Sequence, residues 1–414
     1  MKLQSIEVLV VANPPPAFGG RYFTLVKVTA SNGIAGWGEA YGASVGPRAM
    51  RAVIEDVFER HCEGTSPFDT ELMFRRVHSA GFSQRPDPTL MAAWSAIEIA
   101  AHDIAGRALD VPVHALLGGR VHERLRAYTY LYPTGEQTAA DFYNSPELSA
   151  EAAAVWAERG FTAVKFDPAG PYTIHDPHHP ALYDLDRSER FCRLVREAVG
   201  DGSGGRGADI LFGTHGQFTP GGALAMARRI APYDPLWFEE PVPPDSFEGL
   251  RRICRCSPVT VATGERLTTP FEFAAALRAG TGIVQPALGR AGGLRAGKKI
   301  AALAEACHAQ VAPHLYCGPV EALANIHLAA SCPNFLLLEA IGEMDGFHAA
   351  LLDAPIAVEE GHVRVPEGPG LGRTVNEEVA RANLWDESVH GERLHLEMQG
   401  EPLDYGRDSR FAGG

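Results

Sequence analysis

The chain has 414 residues, of which 45% are hydrophobic and 21% are charged, a balance typical of folded globular proteins and not of disordered ones. Its 37 Lys and Arg against 51 Asp and Glu give a formal net charge of −14, which argues against non-specific binding to nucleic acid or anionic membranes. No stretch approaches about 20 uninterrupted apolar residues, so we expect no membrane span. The seven cysteines are scattered and lack zinc-site spacing, which favours a cytoplasmic protein.

The first part of the chain predicts a compact α+β unit. Alternating apolar residues at 5–11 and 22–29 predict two antiparallel strands that flank a Pro- and Gly-rich turn. Helical periodicity follows at 47–61 and 88–106. We assign residues 1–122 to this unit.

From about residue 125, short apolar runs alternate with segments of helical periodicity. Eight runs predict strands, at 125–131, 162–167, 209–214, 236–241, 259–265, 282–287, 310–315 and 335–340. Seven helical segments lie between them, at 149–160, 188–200, 221–233, 247–256, 270–280, 294–308 and 321–332. The later strand ends recur about every 25 residues, the period of one βα unit, which predicts a parallel barrel over residues 123–345.

Two segments interrupt or follow this pattern. The insert at 168–187 is rich in proline, so we expect a loop there rather than a helix, and loops of this length on barrels are often binding loops. Its histidines His175, His178 and His179 are expected to be solvated rather than to bind a second metal. Residues 346–414 lack the barrel pattern and are predicted to return to the N-terminal unit.

The predicted strand ends carry a concentration of ionisable side chains. Reactive groups of parallel barrels collect at the carboxyl ends of the strands. Those ends hold Lys165, Asp167, His215, Glu239, Glu240, Glu265, Arg266, His314 and Glu339. Glu239 and Glu265 end successive strands, and two carboxylates aimed at one point suit a hard cation such as Mg²⁺. Each could instead pair with a neighbouring Arg or Lys. Glu240 points to the other side of its strand and is predicted to be structural.

Seven motifs, in this order and spacing, resemble those of the enolase superfamily: KFD, THGQ, FEEP, TGER, QPALGRAGG, APHLYCGP and LLLEA. Within it the chain is similar to the mandelate racemase and muconate lactonizing enzyme branch, and there to sugar-acid dehydratases of the galactonate and mannonate type. The resemblance implies an α/β fold, a modified TIM barrel, (β/α)7β, with an α+β capping domain built from residues 1–122 and 346–414. It also implies one Mg²⁺ per subunit, which stabilises the enolate formed when a base removes the proton α to a carboxylate.

The resemblance also implies roles for individual side chains. Glu239 and Glu265 match metal ligands, and His215 matches a general acid that could also ligate the metal. His314 matches the catalytic base, and Lys165 lies where a lysine acts as a base or contacts the bound carboxylate. We assign four further residues to substrate binding: Glu339, Asp167, Arg266 and Tyr22.

Two positions depart from the family pattern. Relatives usually carry an acidic first metal ligand two residues before the position of His215, and this chain has Gly213 there. Either His215, water or substrate would then fill that ligand position, or metal binding would be weak. The base histidine of the family normally pairs with an Asp at the position of Ala287, so His314 is expected to be a poorer base here.

The leading hypothesis is a Mg²⁺-dependent lyase that dehydrates a sugar acid to a 2-keto-3-deoxy acid. The alternative is a racemase, epimerase or cycloisomerase that uses the same enolate, with Lys165 and His314 facing each other across the substrate. A third hypothesis, suggested by Gly213 and Ala287, is a degenerate, non-catalytic binding protein. The expected partner is a small-molecule carboxylate, and the family resemblance implies a homo-oligomer, either a dimer or an octamer.

Overall fold

The computed structural model describes residues 1–42, 44–135, 137–168, 177–200, 207–390 and 394. An antiparallel sheet of three strands opens the chain: β1 (Leu3–Ala12), β2 (Tyr22–Ala30) and β3 (Ala35–Ala40). The strand β3 was not predicted, because its glycines have low strand propensity. A Cβ atom on Gly38 would lie 1.9 Å from the carbonyl oxygen of Ala96, so glycine is required where this strand crosses the neighbouring helix.

Four helices complete the N-terminal part. They are α1 (Pro47–Val57), α2 (Thr70–His78), α3 (Pro88–Leu109) and α4 (Val113–Leu116). Phe58–Cys62 continue α1 as a π-helical turn, in agreement with the helix predicted at 47–61. Asp87 caps α3, because its Oδ1 accepts hydrogen bonds from the backbone N–H groups of Thr89 and Leu90, each at 3.0 Å.

Eight parallel strands close into a barrel. They are β4 (Arg124–Tyr130), β5 (Ala163–Phe166), β6 (Asp209–Phe212), β7 (Trp237–Glu239), β8 (Val261–Thr263), β9 (Ile283–Val284), β10 (Gln310–Val311) and β11 (Leu338–Ala340). Neighbours from β4 to β10 pair in chain order, and β11 pairs with β4. Val311 bridges Phe335 just before β11, which closes the ring. The predicted fold class is confirmed.

Helices connect these strands on the outside of the barrel. They are α5 (Ala139–Asn144), α6 (Pro146–Glu158), α7 (Leu182–Val199), α8 (Pro220–Ile230), α9 (Phe247–Cys256), α10 (Pro270–Ala279), α11 (Gly293–Ala306) and α12 (Pro319–Ala330). The insert at 168–187 was predicted to be a loop, and this is wrong for its last part, because α7 begins at Leu182, past the prolines. His178 bridges Phe218, His179 is exposed, and His175 lies outside the described residues.

The chain after the barrel packs against both earlier parts. It contains α13 (Gly346–Ala350), β12 (Val358–Glu359), β13 (His362–Arg364), α14 (Glu377–Ala382) and α15 (Glu387–His390). β13 lies antiparallel to β4, and Trp385 donates its backbone N–H to Val10 of β1 at 2.9 Å. Among the described residues, no helix is long and apolar enough to cross a membrane.

Three buried carboxylates of the N-terminal part, here named the seam carboxylates, join it to the rest of the chain: Glu39, Glu98 and Asp103. Glu39 accepts three backbone N–H groups at the start of α12, at 2.6 to 3.1 Å. Glu98 accepts hydrogen bonds from two backbone N–H groups at the start of α11, at 2.7 and 2.8 Å. Asp103 accepts one from the backbone N–H of Leu371 at 2.8 Å. These bonds place the end of β3 over the barrel.

Candidate active site

A cavity that opens to solvent lies at the carboxyl ends of the barrel strands, and the space within it and its opening amounts to about 600 Å³. Seven ionisable side chains line it: Lys165, His215, Glu265, Arg266, Arg290, His314 and Glu339. Four tyrosines complete the lining: Tyr41, Tyr130, Tyr132 and Tyr316. The cavity therefore combines aromatic walls with convergent charges of both signs.

Lys165 forms ion pairs with two carboxylates at the strand ends. Its Nζ lies 2.5 Å from Oε1 of Glu239 and 3.5 Å from Oε1 of Glu339. The other oxygen of Glu239 accepts hydrogen bonds from Trp237 Nε1 at 3.0 Å and Gln285 Nε2 at 2.8 Å. Burial would lower the pKa of Lys165, but the Glu239 and Glu339 charges outweigh it and raise that pKa well above its ordinary value. Lys165 is therefore an ammonium at neutral pH.

His215 follows β6 and stands between two carboxylates. Its Nδ1 lies 2.8 Å from Oδ2 of Asp167, and its Nε2 lies 3.9 Å from Oε1 of Glu265. Burial works to lower the pKa of His215, but Glu265 and Asp167 outweigh it and raise the pKa to about 9. Arg266 donates to the backbone oxygen of His215 at 2.7 Å. His215 is thus an oriented imidazolium at neutral pH.

His314 follows β10 and is held in the opposite protonation state. Burial lowers its pKa to about 3, although Glu265 opposes the shift. Its ring stacks on Tyr41, with centroids 5.7 Å apart and planes at 16°. Within the described part of the chain, its Nδ1 is buried without a hydrogen-bond partner. His314 is therefore a neutral imidazole with a free ring nitrogen.

Glu265 lies between the two histidines. Its Oε2 is 3.4 Å from Nε2 of His314, and this oxygen is buried without a hydrogen bond from any described residue. Burial would raise the pKa of Glu265, but the charges of His215 and Lys165 hold it well below its ordinary value. A charged carboxylate thus separates a protonated histidine from a neutral one. We name Glu239, Glu265 and Glu339 the mouth carboxylates.

The donors predicted for Mg²⁺ do not fit the ion in this arrangement. Both oxygens of Glu239 accept hydrogen bonds, from Lys165, Trp237 and Gln285, and Nδ1 of His215 is bound to Asp167. Gly213 supplies no side chain. Among the described residues, no three His, Cys, Asp or Glu side chains gather as a metal site. A Mg²⁺ ion bound to Glu265 would be repelled by the neighbouring charges of Lys165 and His215. Mg²⁺ also needs near-octahedral coordination by oxygen ligands.

The residues assigned to substrate binding fall into different places. Glu339 lines the cavity, and its Oε2 accepts the N–H of Leu315 at 2.8 Å. Asp167 holds His215, and Arg266 joins Glu240 at 2.7 Å, so both position other groups. Tyr22 is buried against Trp385, with ring centroids 5.9 Å apart, and is not among the residues that line this cavity, so its role in substrate binding stays a prediction.

The sequence analysis missed an arginine and a tyrosine that wall the cavity together. The guanidinium carbon of Arg290 lies 3.7 Å from the ring centroid of Tyr41, a cation–π contact. Arg290 lies within the motif QPALGRAGG, which was a usable signal. Tyr41 follows β3, and its N–H donates to Gly289 at 2.9 Å. Only the docking of the N-terminal part brings Tyr41 to the barrel.

Family comparisons agree with this architecture. Residues 6–118 match the mandelate racemase / muconate lactonizing enzyme N-terminal domain, and residues 147–379 match the enolase C-terminal domain-like family.

Among curated relatives, the D-xylonate dehydratase of Haloferax volcanii is 32% identical over 381 residues, covering 91% of this chain and 88% of that protein. The D-galactonate dehydratase of Ralstonia nicotianae is 31% identical over 364 residues, covering 85% of this chain and 88% of that protein. Among solved structures, a mandelate racemase/muconate lactonizing enzyme from Sulfitobacter superposes with a TM-score of 0.92 at 55% identity, covering 98% of this chain and 100% of that one. One from Jannaschia superposes with a TM-score of 0.91 at 54% identity, covering 96% and 100%.

Proposed function

This chain belongs to the mandelate racemase and muconate lactonizing enzyme branch of the enolase superfamily, and from that membership we propose that it dehydrates a small polyhydroxylated carboxylic acid. It is a lyase, as its relatives named D-xylonate, D-gluconate and D-galactonate dehydratases are hydro-lyases. The proposed product is the 2-keto-3-deoxy acid. Because the donor set does not fit Mg²⁺, no step of this proposal passes through a metal ion.

One observation carries the proposal: His215 and His314 line the same cavity on either side of Glu265, and their surroundings shift their pKa values in opposite directions. Pairs of groups whose environments push their pKa values apart are suited to acid and base roles. His314, neutral with a free Nδ1, is the proposed base for the proton α to the substrate carboxylate. His215, an imidazolium, is the proposed general acid.

The proposed reaction balances without a further reactant. The α C–H bond breaks and its proton passes to His314. The electron pair first gives the enolate of the substrate carboxylate. The enolate then forms the carbon–carbon double bond as the β C–O bond breaks, and His215 protonates the departing hydroxyl to give water. The resulting enol tautomerises to the 2-keto acid, and the proton gained by His314 equals the one lost by His215. Asp167 supports this sequence because it orients His215 through Nδ1.

The direct test is a panel of aldonic acids, including xylonate, gluconate and galactonate, assayed for 2-keto acids with semicarbazide. The wild-type chain is expected to produce a 2-keto acid from at least one of them. In D₂O, His215→Asn is expected to exchange the α-proton without elimination, whereas His314→Asn should do neither. His179→Asn, at an exposed position outside the cavity, is the matched control and should behave like the wild type. Binding of an acid with no product from the wild type would favour the non-catalytic alternative.

The isomerase alternative is not supported by a specific contact. It needs a second base on the opposite face of the substrate, and Lys165 was the candidate. Lys165 is bound to Glu239 at 2.5 Å and stays protonated, so it has no lone pair with which to accept a proton.

A further inference from the structure

Gly213 and Lys165 occupy adjoining space at the ends of β6 and β5. A Cβ atom on residue 213 would lie 3.2 Å from Cε of Lys165 and 3.7 Å from Cβ of Asp167. The first distance is tighter than ordinary van der Waals contact, so a side chain at 213 would require the Lys165 stem to shift by a few tenths of an ångström. The absence of a side chain at 213 therefore leaves room for the present position of the Lys165 stem.

The ammonium of Lys165 stands where strands from opposite sides of the barrel converge. It contacts Glu239 at the end of β7 at 2.5 Å and Glu339 in β11 at 3.5 Å. Lys165 is 2% exposed to solvent, yet its side chain lines the cavity. A buried ammonium between two carboxylates provides the positive charge that would otherwise have to come from a bound metal ion.

Lys165 also retains hydrogen-bonding capacity. An ammonium has three N–H donors. Glu239 takes one, the contact to Glu339 is at the limit of hydrogen-bond length, and no third acceptor for Lys165 is found in the described residues. An acceptor that enters the cavity can take the remaining donor.

We infer that the ammonium of Lys165, whose stem lies beside Gly213, is the resident cation of this site in place of a divalent metal ion, and that the carboxylate contact implied for Lys165 by the family resemblance is made without a metal. The part that concerns the substrate rests on the proposed function, whereas the part that concerns the metal does not. Replacement of a dication by a single fixed charge also leaves His215 free to serve as an acid, because it is not needed as a ligand.

The metal part is tested by titrating Mn²⁺ into the full chain after dialysis against EDTA, with the free ion followed by electron paramagnetic resonance. The wild type is expected to bind no stoichiometric Mn²⁺. The double variant Gly213→Asp/Lys165→Met, which adds a carboxylate and removes the lysine, is expected to bind about one equivalent. Lys299→Met, at a half-exposed lysine outside the cavity, is the control and should match the wild type.

Two results would overturn the metal part: one Mn²⁺ equivalent in the wild type that Glu265→Gln abolishes, or a folded double variant that binds none. Circular dichroism establishes folding of each variant. If the acid-sugar panel identifies a substrate, EDTA should leave turnover unchanged; inactivation that Mg²⁺ reverses would overturn the inference and leave the dehydratase intact. If no substrate is found, the Mn²⁺ titration still decides the metal part.

The substrate part is tested by the kinetics of Lys165→Met on the acid found in the panel. Loss of a buried charge-assisted donor is expected to reduce kcat/KM about 100-fold, mainly through KM. Lys299→Met should leave both constants unchanged. A folded Lys165→Met variant with an unchanged KM would overturn the assignment of the ammonium to the carboxylate.

Discussion

Two groups of buried carboxylates in this protein differ in what they contact. The seam carboxylates Glu39 and Glu98 accept hydrogen bonds from backbone N–H groups at helix starts. The mouth carboxylates Glu239 and Glu265 face the side-chain cations Lys165 and His215. Backbone donors are fixed by the fold, whereas side-chain cations can exchange partners when a ligand enters. Burial alone therefore does not identify a functional carboxylate. What identifies it is that its partners are side-chain cations, which can exchange partners when a ligand enters.

The largest effect is expected from neutralising a mouth carboxylate. Glu265→Gln removes the charge that helps to raise the pKa of His215, so this histidine loses support for its protonated form, whereas burial keeps His314 neutral. We expect a loss of kcat of about 10³-fold, comparable to removing a preorganised electrostatic group. The melting temperature should change little, since Oε2 has no hydrogen-bond partner to lose among the described residues. Steady-state kinetics and calorimetry measure the two quantities, with the exposed Glu248→Gln as control; a large drop in melting temperature would place Glu265 with the seam group.

The converse is expected at the seam. Asp103→Ala leaves the N–H groups of Trp37 and Leu371 without their acceptor and removes the partner of Arg107. We expect a loss of about 3 kcal/mol in the free energy of unfolding, with kcat unchanged. Chemical denaturation measures the loss. Asp56→Ala, an exposed helix position paired with Arg60 at 3.4 Å, should cost about 0.5 kcal/mol or less. If Asp103→Ala lowers kcat but leaves the free energy of unfolding unchanged, the distinction between the seam and the mouth carboxylates is wrong.

A smaller effect is expected from the carboxylate that orients His215. The folded-state pKa of His215, about 9, lies above the unfolded value of about 6.5. Its imidazolium therefore stabilises the fold fully below about pH 6.5, and this contribution is lost as pH rises through about 9. The rate should fall over the same upper limb as the acid loses its proton. Asp167→Asn is expected to shift that limb of the kcat profile toward neutral pH and to lower kcat about 10- to 100-fold. If Asp167→Asn leaves the high-pH limb of the kcat profile at the same pH, that limb belongs to a group other than His215.

The smallest effect is expected at Tyr22. Because it packs against Trp385 and not against the cavity, Tyr22→Phe should change kcat/KM by less than about twofold. Tyr41→Ala provides the contrast, since it removes the ring that stacks on His314 and lies under Arg290, and a larger loss of kcat/KM is expected. Tyr22→Phe is the milder change, so Tyr22→Ala is measured beside it. Kinetics of the variants side by side give the comparison; a larger defect in Tyr22→Phe would return this residue to the substrate pocket.

The sequence by itself was sufficient to predict the barrel and to identify the residues at the ends of its strands. Apolar periodicity is local, and the repeated βα unit admits few arrangements, so all eight predicted strands have an observed counterpart. The glycine strand β3 escaped this reasoning, because only contact with α3 explains it.

Only the tertiary structure decided which charges meet. Lys165, Asp167 and Glu239 could be named from their strands, but nothing local states that Lys165 binds Glu239 while Asp167 binds His215. Those pairings depend on side chains that reach across the barrel and on the space left at position 213. Electrostatic interactions of this kind act between residues distant in sequence, and burial then sets their strength.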